Sequence, residues 1–133
     1  MARGKEVHEA RVSALNLLGK DLARRAKSKC ELCERGGEEL SILEVPPEPK
    51  EPDFERCVMI CEQCKTAISE PKRFQAGEQW RFLAQTVWSD VPPVQVLAVR
   101  LLRRQSSSQG WAREALDDLF LDDEIEAWVT ESE

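Results

Sequence analysis

The side chains with the clearest chemistry are four cysteines in two pairs, Cys30-Glu31-Leu32-Cys33 and Cys61-Glu62-Gln63-Cys64. Two residues between cysteines let one tight turn aim both sulfurs at a single point. Two such turns supply four thiolates, the donor set of a tetrahedral zinc ion with metal–sulfur bonds of about 2.3 Å. An ion held by four sulfurs has no open position for water, so such a site holds a fold together and does not activate a nucleophile. The sequence therefore assigns Cys30, Cys33, Cys61 and Cys64 to one Zn2+. Disulfides or free thiols are the competing readings. Nothing suggests secretion, so disulfides are the weaker reading beside zinc. Cys57, the fifth cysteine, lies four residues before Cys61 and can in principle replace a ligand. The paired spacing already supplies four, so Cys57 reads as a small buried apolar residue of a strand.

A strand flanked by two cysteine pairs also resembles the layout of zinc-stapled HNH nucleases. Their chemistry needs a histidine base near the end of the first strand and a further His or Asn on a catalytic metal. Here Ile42, Leu43, Glu44 and Val45 stand in the first place, Lys65 follows the second pair, and the one histidine, His8, falls in the first helix. No glycine-rich phosphate loop and no Ser-His-Asp set is present. Glu38, Glu39 and Glu44 are carboxylates that the sequence pairs with neither a base nor a second metal. The reading is that no residue is catalytic, with enzyme activity leaning to absent. The alternative is a metal-dependent hydrolase, related to HNH-type nucleases or acting on phosphonate-like substrates, which needs a second, open metal site.

These cysteines must be positioned by the elements around them. Val7, Ala10, Ala14, Leu18 and Leu22 recur at helical spacing and predict a helix over 6–27. Arg24, Arg25, Lys27 and Lys29 at its end read as solvated cations that complement the helix dipole. A phosphate-facing patch is the less favoured reading. Leu40–Val45 and Cys57–Ile60 read as strands, joined by the proline-rich segment 46–53, which cannot enter a sheet ladder and is expected to be an exposed loop. The two cysteine pairs then sit at the ends of a small antiparallel hairpin, and a short helix follows through Ile68. This is a zinc-ribbon or treble-clef-like module, and spacing does not choose between them.

The remainder reads as helical and carries all four tryptophans, Trp80, Trp88, Trp111 and Trp128. Helices are expected over 78–88, from Pro92 to Arg103, over 111–119 and over 122–129, with Ser89 or Asp90 capping the second. The tryptophans read as core residues in preference to a base-stacking platform. The Pro92 helix is apolar on almost every side. If its neighbours cover it, the chain is a monomer with Val96 and Val99 inside. If they do not, the strip is an interface, and the expectation leans to a homodimer. The fold class is α+β and mostly helical, divided into an N-terminal helix (1–27), a four-cysteine module (28–70) and a helical region (71–133) with an acidic end.

The chain has 133 residues, 33% of them charged, and a net charge of −6. The charge is uneven: residues 1–36 hold nine basic and five acidic side chains, and residues 110–133 hold one and nine. The acidic end repels phosphate, and is expected to be solvated or to meet a basic surface. No run of 18 apolar residues exists, so no membrane span is expected. The residues after Met1 lack the apolar stretch of a signal peptide, and the expected location is cytoplasmic.

Lys29-Cys30-Glu31-Leu32-Cys33, Glu44-Val45-Pro46-Pro47, the second cysteine pair, Trp88-Ser89-Asp90-Val91-Pro92-Pro93-Val94-Gln95-Val96 and Leu121-Asp122-Asp123-Glu124 follow one another in that order. Together they resemble the amino-terminal part of the PhnA proteins, named after an alkylphosphonate-utilisation operon. The resemblance covers roughly residues 20 to 130, and its tryptophan-centred stretch is the most specific part. It implies a bacterial, cytoplasmic, zinc-binding protein and does not imply phosphonate cleavage. Longer family members continue into a small β-rich carboxy-terminal domain that these 133 residues do not include. Family members also tend to have His where this chain has Gln79, which removes a possible metal or acid–base residue. The functional expectation is a non-enzymatic structural-zinc module that meets a protein or nucleic-acid partner.

Overall fold

A computed structural model describes residues 2–131, with side chains from residue 6. Met1, Ser132 and Glu133, which end the predicted amino-terminal and helical segments, lie outside the described residues.

The first helix, α1, spans Ala2–Ala26, longer at its start than the apolar periodicity predicts. Its apolar packing is confined to its second half, while Arg11 ties the first half to the rest by hydrogen bonds. Leu22 is fully buried, while Val7 and Leu17 stand 64% and 82% exposed, so the predicted apolar stripe is covered only toward its carboxyl end. Lys27 and Ser28 stop the helix, both in the left-handed region at φ 57° and 61°. Ser28 N–H then reaches back to the Ala23 carbonyl at 3.0 Å. With no glycine at either position, each residue stores about 1–3 kcal/mol of backbone strain.

The hairpin consists of β1 (Leu40–Glu44) and β2 (Cys57–Cys61), paired antiparallel with Leu40 opposite Cys61 and Glu44 opposite Cys57. Every residue of β2 is buried. Its alternation explains why: Cys57 and Met59 face Leu22 of α1, and Val58 and Ile60 face the main core. The segment between the strands is less exposed than expected. Arg11 donates to the carbonyls of Pro49 and Lys50, and Trp128 Nε1 donates to that of Pro46 at 3.0 Å. Prolines leave carbonyls but no ladder donors, so this loop is held through its acceptors. The helix after the hairpin, α2, runs Glu62–Ser69 and so begins before Cys64.

The predicted helix over 78–88 is instead a 3-10 turn at Glu78–Trp80 followed by the short α3 (Leu83–Thr86). Bonds three residues apart wind it tightly, as from Arg81 N–H to the Glu78 carbonyl and from Gln85 N–H to the Phe82 carbonyl. Trp88 at its end is 57% exposed, so not every tryptophan is core; Trp80 is buried, and Trp111 and Trp128 are half-buried. The central helix, α4, spans Pro92–Gln105, with Val91 as its cap residue in place of Ser89 or Asp90. Ser89 Oγ accepts from Val91 N–H and so fixes the turn before the helix, not its first free donors.

Helices α3, α5 (Gly110–Asp117) and α6 (Asp123–Glu131) pack on α4. Val96 and Val99 are fully buried by this chain alone. Arg100, also buried, donates to the carbonyls of Trp128 and Val129 near the end of α6, where a cation is favoured. Asp122 Oδ1 caps α6 by accepting from Ile125 N–H at 2.9 Å. Glu126 binds Arg103 across the helix pair, so part of the acidic end meets a cation of the same chain. The fold is mostly helical with one two-stranded antiparallel hairpin. No helix among the described residues is long and apolar enough to cross a membrane.

Candidate metal centre

Two backbone turns present the sulfurs. In the first, Cys30 N–H donates to the Arg35 carbonyl, Glu34 N–H donates to the Cys30 carbonyl at 2.8 Å, and Lys29 pairs with Gly36. Glu34 adopts φ 63° to close the turn. In the second, β2 delivers Cys61, and the first turn of α2 delivers Cys64. One ligand atom from each of Cys30, Cys33, Cys61 and Cys64 lies within 4.8 Å of the other three. Cys33 Sγ and Cys61 Sγ are 3.8 Å apart. A tetrahedron with metal–sulfur bonds of about 2.3 Å has edges of about 3.8 Å, so this spacing suits an ion at the centre. None of the five cysteines is disulfide-bonded.

Cys30, Cys61 and Cys64 are buried, and Cys33 is half-buried. Crowding sets their ionisation. Cys64 donates to the Cys30 sulfur, which holds the Cys30 thiol down to about 4 and pushes Cys64 up; burial adds to the rise at Cys64. Burial likewise pushes Cys33 up to about 11. Four sulfurs this close cannot all carry charge on their own, and a cation at their centre would balance them.

Cys57 lies elsewhere. Four residues along β2 from Cys61, it is roughly 13 Å away at strand rise. It is fully buried between α1 and the hairpin, and burial, with Glu44 and Asp53 behind it, pushes its thiol up to about 11. The other candidate side chains are dispersed. His8 is exposed on α1. Glu44 is taken by a two-pronged pair with Arg11, at 2.7 and 2.5 Å. Glu38 lies 3.9 Å from Arg35 at the surface, and Gln79 donates to the Gln75 carbonyl. Among the described residues no second group of three or more His, Cys, Asp or Glu gathers as these four cysteines do.

Sequence reasoning missed Glu31 and Arg25. Glu31, inside the first cysteine pair, has its carboxylate buried against Arg25, with both oxygens at 2.9 Å. Arg25 is therefore an inward-facing partner and not the solvated cation expected at the end of α1. The available signal was a carboxylate inside the cysteine turn, six residues after an arginine. Beside the turn, a hollow of about 580 Å³ is lined by Cys33, Glu34, Arg81, Phe82, Gln85 and Trp88. It adjoins a second of about 380 Å³ that reaches Lys27 and Lys29.

No protein-family model, no curated protein and no solved structure matches this chain.

Proposed function

We propose that this protein is a non-enzymatic module held together by one zinc ion on Cys30, Cys33, Cys61 and Cys64. The convergence of those four sulfurs on one point carries the reading. A sulfur-only set leaves no position for a substrate or an activated water, and the zinc would supply cross-linking of the two turns. The module is of the treble-clef kind, supported by a second pair that straddles the end of β2 and the first turn of α2. Its working surface is the groove beside the first turn, where Trp88 and Phe82 offer rings and Arg81, Lys27 and Lys29 offer cations to a protein or nucleic-acid partner. We also propose membership of the PhnA-like proteins, supported by the ordered motifs of the sequence alone.

Metal analysis and cobalt substitution test the centre. The expected outcome is one zinc per chain and, with Co2+, the intense visible bands of tetrahedral four-sulfur ligation. Two metals per chain, or an octahedral cobalt spectrum, overturns it. Titration with single-stranded oligonucleotides, Trp88→Ala beside wild type, decides whether the groove takes nucleic acid.

A further inference from the structure

We infer that Arg25 and Glu31 are positioning residues of the metal centre, clamping α1 to the hairpin so that α1 stays docked only while metal holds the first cysteine turn. This rests on the zinc reading above. One edge of β2 is paired with β1. The other edge would leave backbone groups unmatched, and these two side chains, with one backbone amide, occupy it. Glu31 N–H donates to the Met59 carbonyl, and Glu31 Oε1 accepts from Met59 N–H, both at 2.9 Å. Glu31 thus completes the edge as a short extra strand would, its carboxylate standing in for a carbonyl. The next carbonyl along that edge, Cys57 O, accepts from Arg25 Nη2 at 2.7 Å.

The two positioning residues are bound to each other as well. Arg25 grips Glu31 through Nε and Nη2, and its guanidinium lies 4.8 Å over the ring of Phe54. The Glu31 carboxylate is only 5% exposed, so removing its partner strands a buried charge. Glu31 stands between two metal ligands, and Arg25 stands one helical turn from Leu22, which seals Cys57 and Met59. When metal leaves, the turn that holds Glu31 relaxes, the β2 edge opens and Leu22 lifts from Cys57. In the other direction, a loosened clamp lets the first turn release its metal more readily.

The test follows two rates on the full chain: zinc transfer to a chromogenic chelator, and maleimide labelling of Cys57 read by peptide mapping. Zinc-loaded wild type should protect Cys57, and chelation should unmask it. Zinc-loaded Arg25→Ala should keep one zinc, yet label Cys57 and release zinc about tenfold faster or more. Glu31→Gln should do the same. Arg25→Lys should fall between, because an ammonium cannot hold Glu31 and the Cys57 carbonyl together in a planar fork. Should the alanine variant fail to fold, the lysine and glutamine variants carry the test by the same two rates. Variants that hold zinc and shield Cys57 as well as wild type overturn the clamp alone. A wild-type chain that takes up no metal overturns both readings.

Discussion

Cys57 and Cys61 end the same strand and carry the same thiol, yet their surroundings give them separate roles. Cys61 turns toward three other sulfurs, and Cys57 is sealed against Leu22 and Met59. Cys57→Ser should therefore keep one zinc per chain by metal analysis, while costing about 1–3 kcal/mol in urea unfolding for a hydroxyl buried among apolar groups. Alkali gives a second check. A thiol raised from 9.0 to about 11 by folding stays neutral in the native state while its unfolded counterpart ionises. Its contribution is intact below pH 9 and is lost as pH climbs through 11. Wild type should lose about 1–3 kcal/mol more than Cys57→Ala across that window in the same assay. The four gathered cysteines were legible from spacing, because a two-residue gap dictates where a pair of sulfurs points. Arg25 was not, because an arginine at the end of a helix reads as solvated until its tertiary partner is known.

At the level of elements, apolar periodicity located α4 and its neighbouring helices but did not decide whether those neighbours cover it. Its cover comes from three helices of four, eight and nine residues, too short for periodicity to define their buried sides. α4 is consequently an internal axis, its apolar side chains from Val94 to Leu102 buried within this chain. Val99→Glu should act on folding and not on assembly. An unpaired carboxylate there should cost several kcal/mol and lower the thermal midpoint sharply, with zinc content falling in parallel. A Val99→Glu protein with a wild-type midpoint but half the mass in light scattering would restore the interface reading. The stretch around Trp80 shows the opposite failure. Its spacing is helical, but successive bonds three residues apart wind it more tightly than the 3.6-residue repeat assumes.

For the molecule as a whole, the walls of the metal centre belong to the main core. One apolar cluster runs from Cys30, Leu32 and Cys64 through α4 to Ala112, Ile125 and Val129. Chelation should therefore melt helices far from the cysteines, lowering far-ultraviolet circular dichroism across α4 to α6 in one cooperative transition. Helical signal and thermal midpoint that survive complete metal removal would show instead that the two ends of the cluster fold independently. The sequence divides the chain by composition at residue 70. Composition does not report that Leu32 and Val129 share a core, because burial is a property of the closed fold.

The bond from Trp128 to Pro46 joins residues 82 positions apart, and the Arg56 guanidinium lies 4.8 Å over the same indole. All four gathered cysteines precede α4 in the chain, and Trp128 follows it, so the contact to Pro46 cannot close until α6 is present. A hairpin without α4 to α6 leaves Val58 and Ile60, which share the core with α4, uncovered, and α6 shuts the loop over it. The hairpin thus comes early in the chain and its lid late. A chain truncated before α6 should bind a hydrophobic dye more strongly than the full chain, and equal dye binding would show that α6 is no lid.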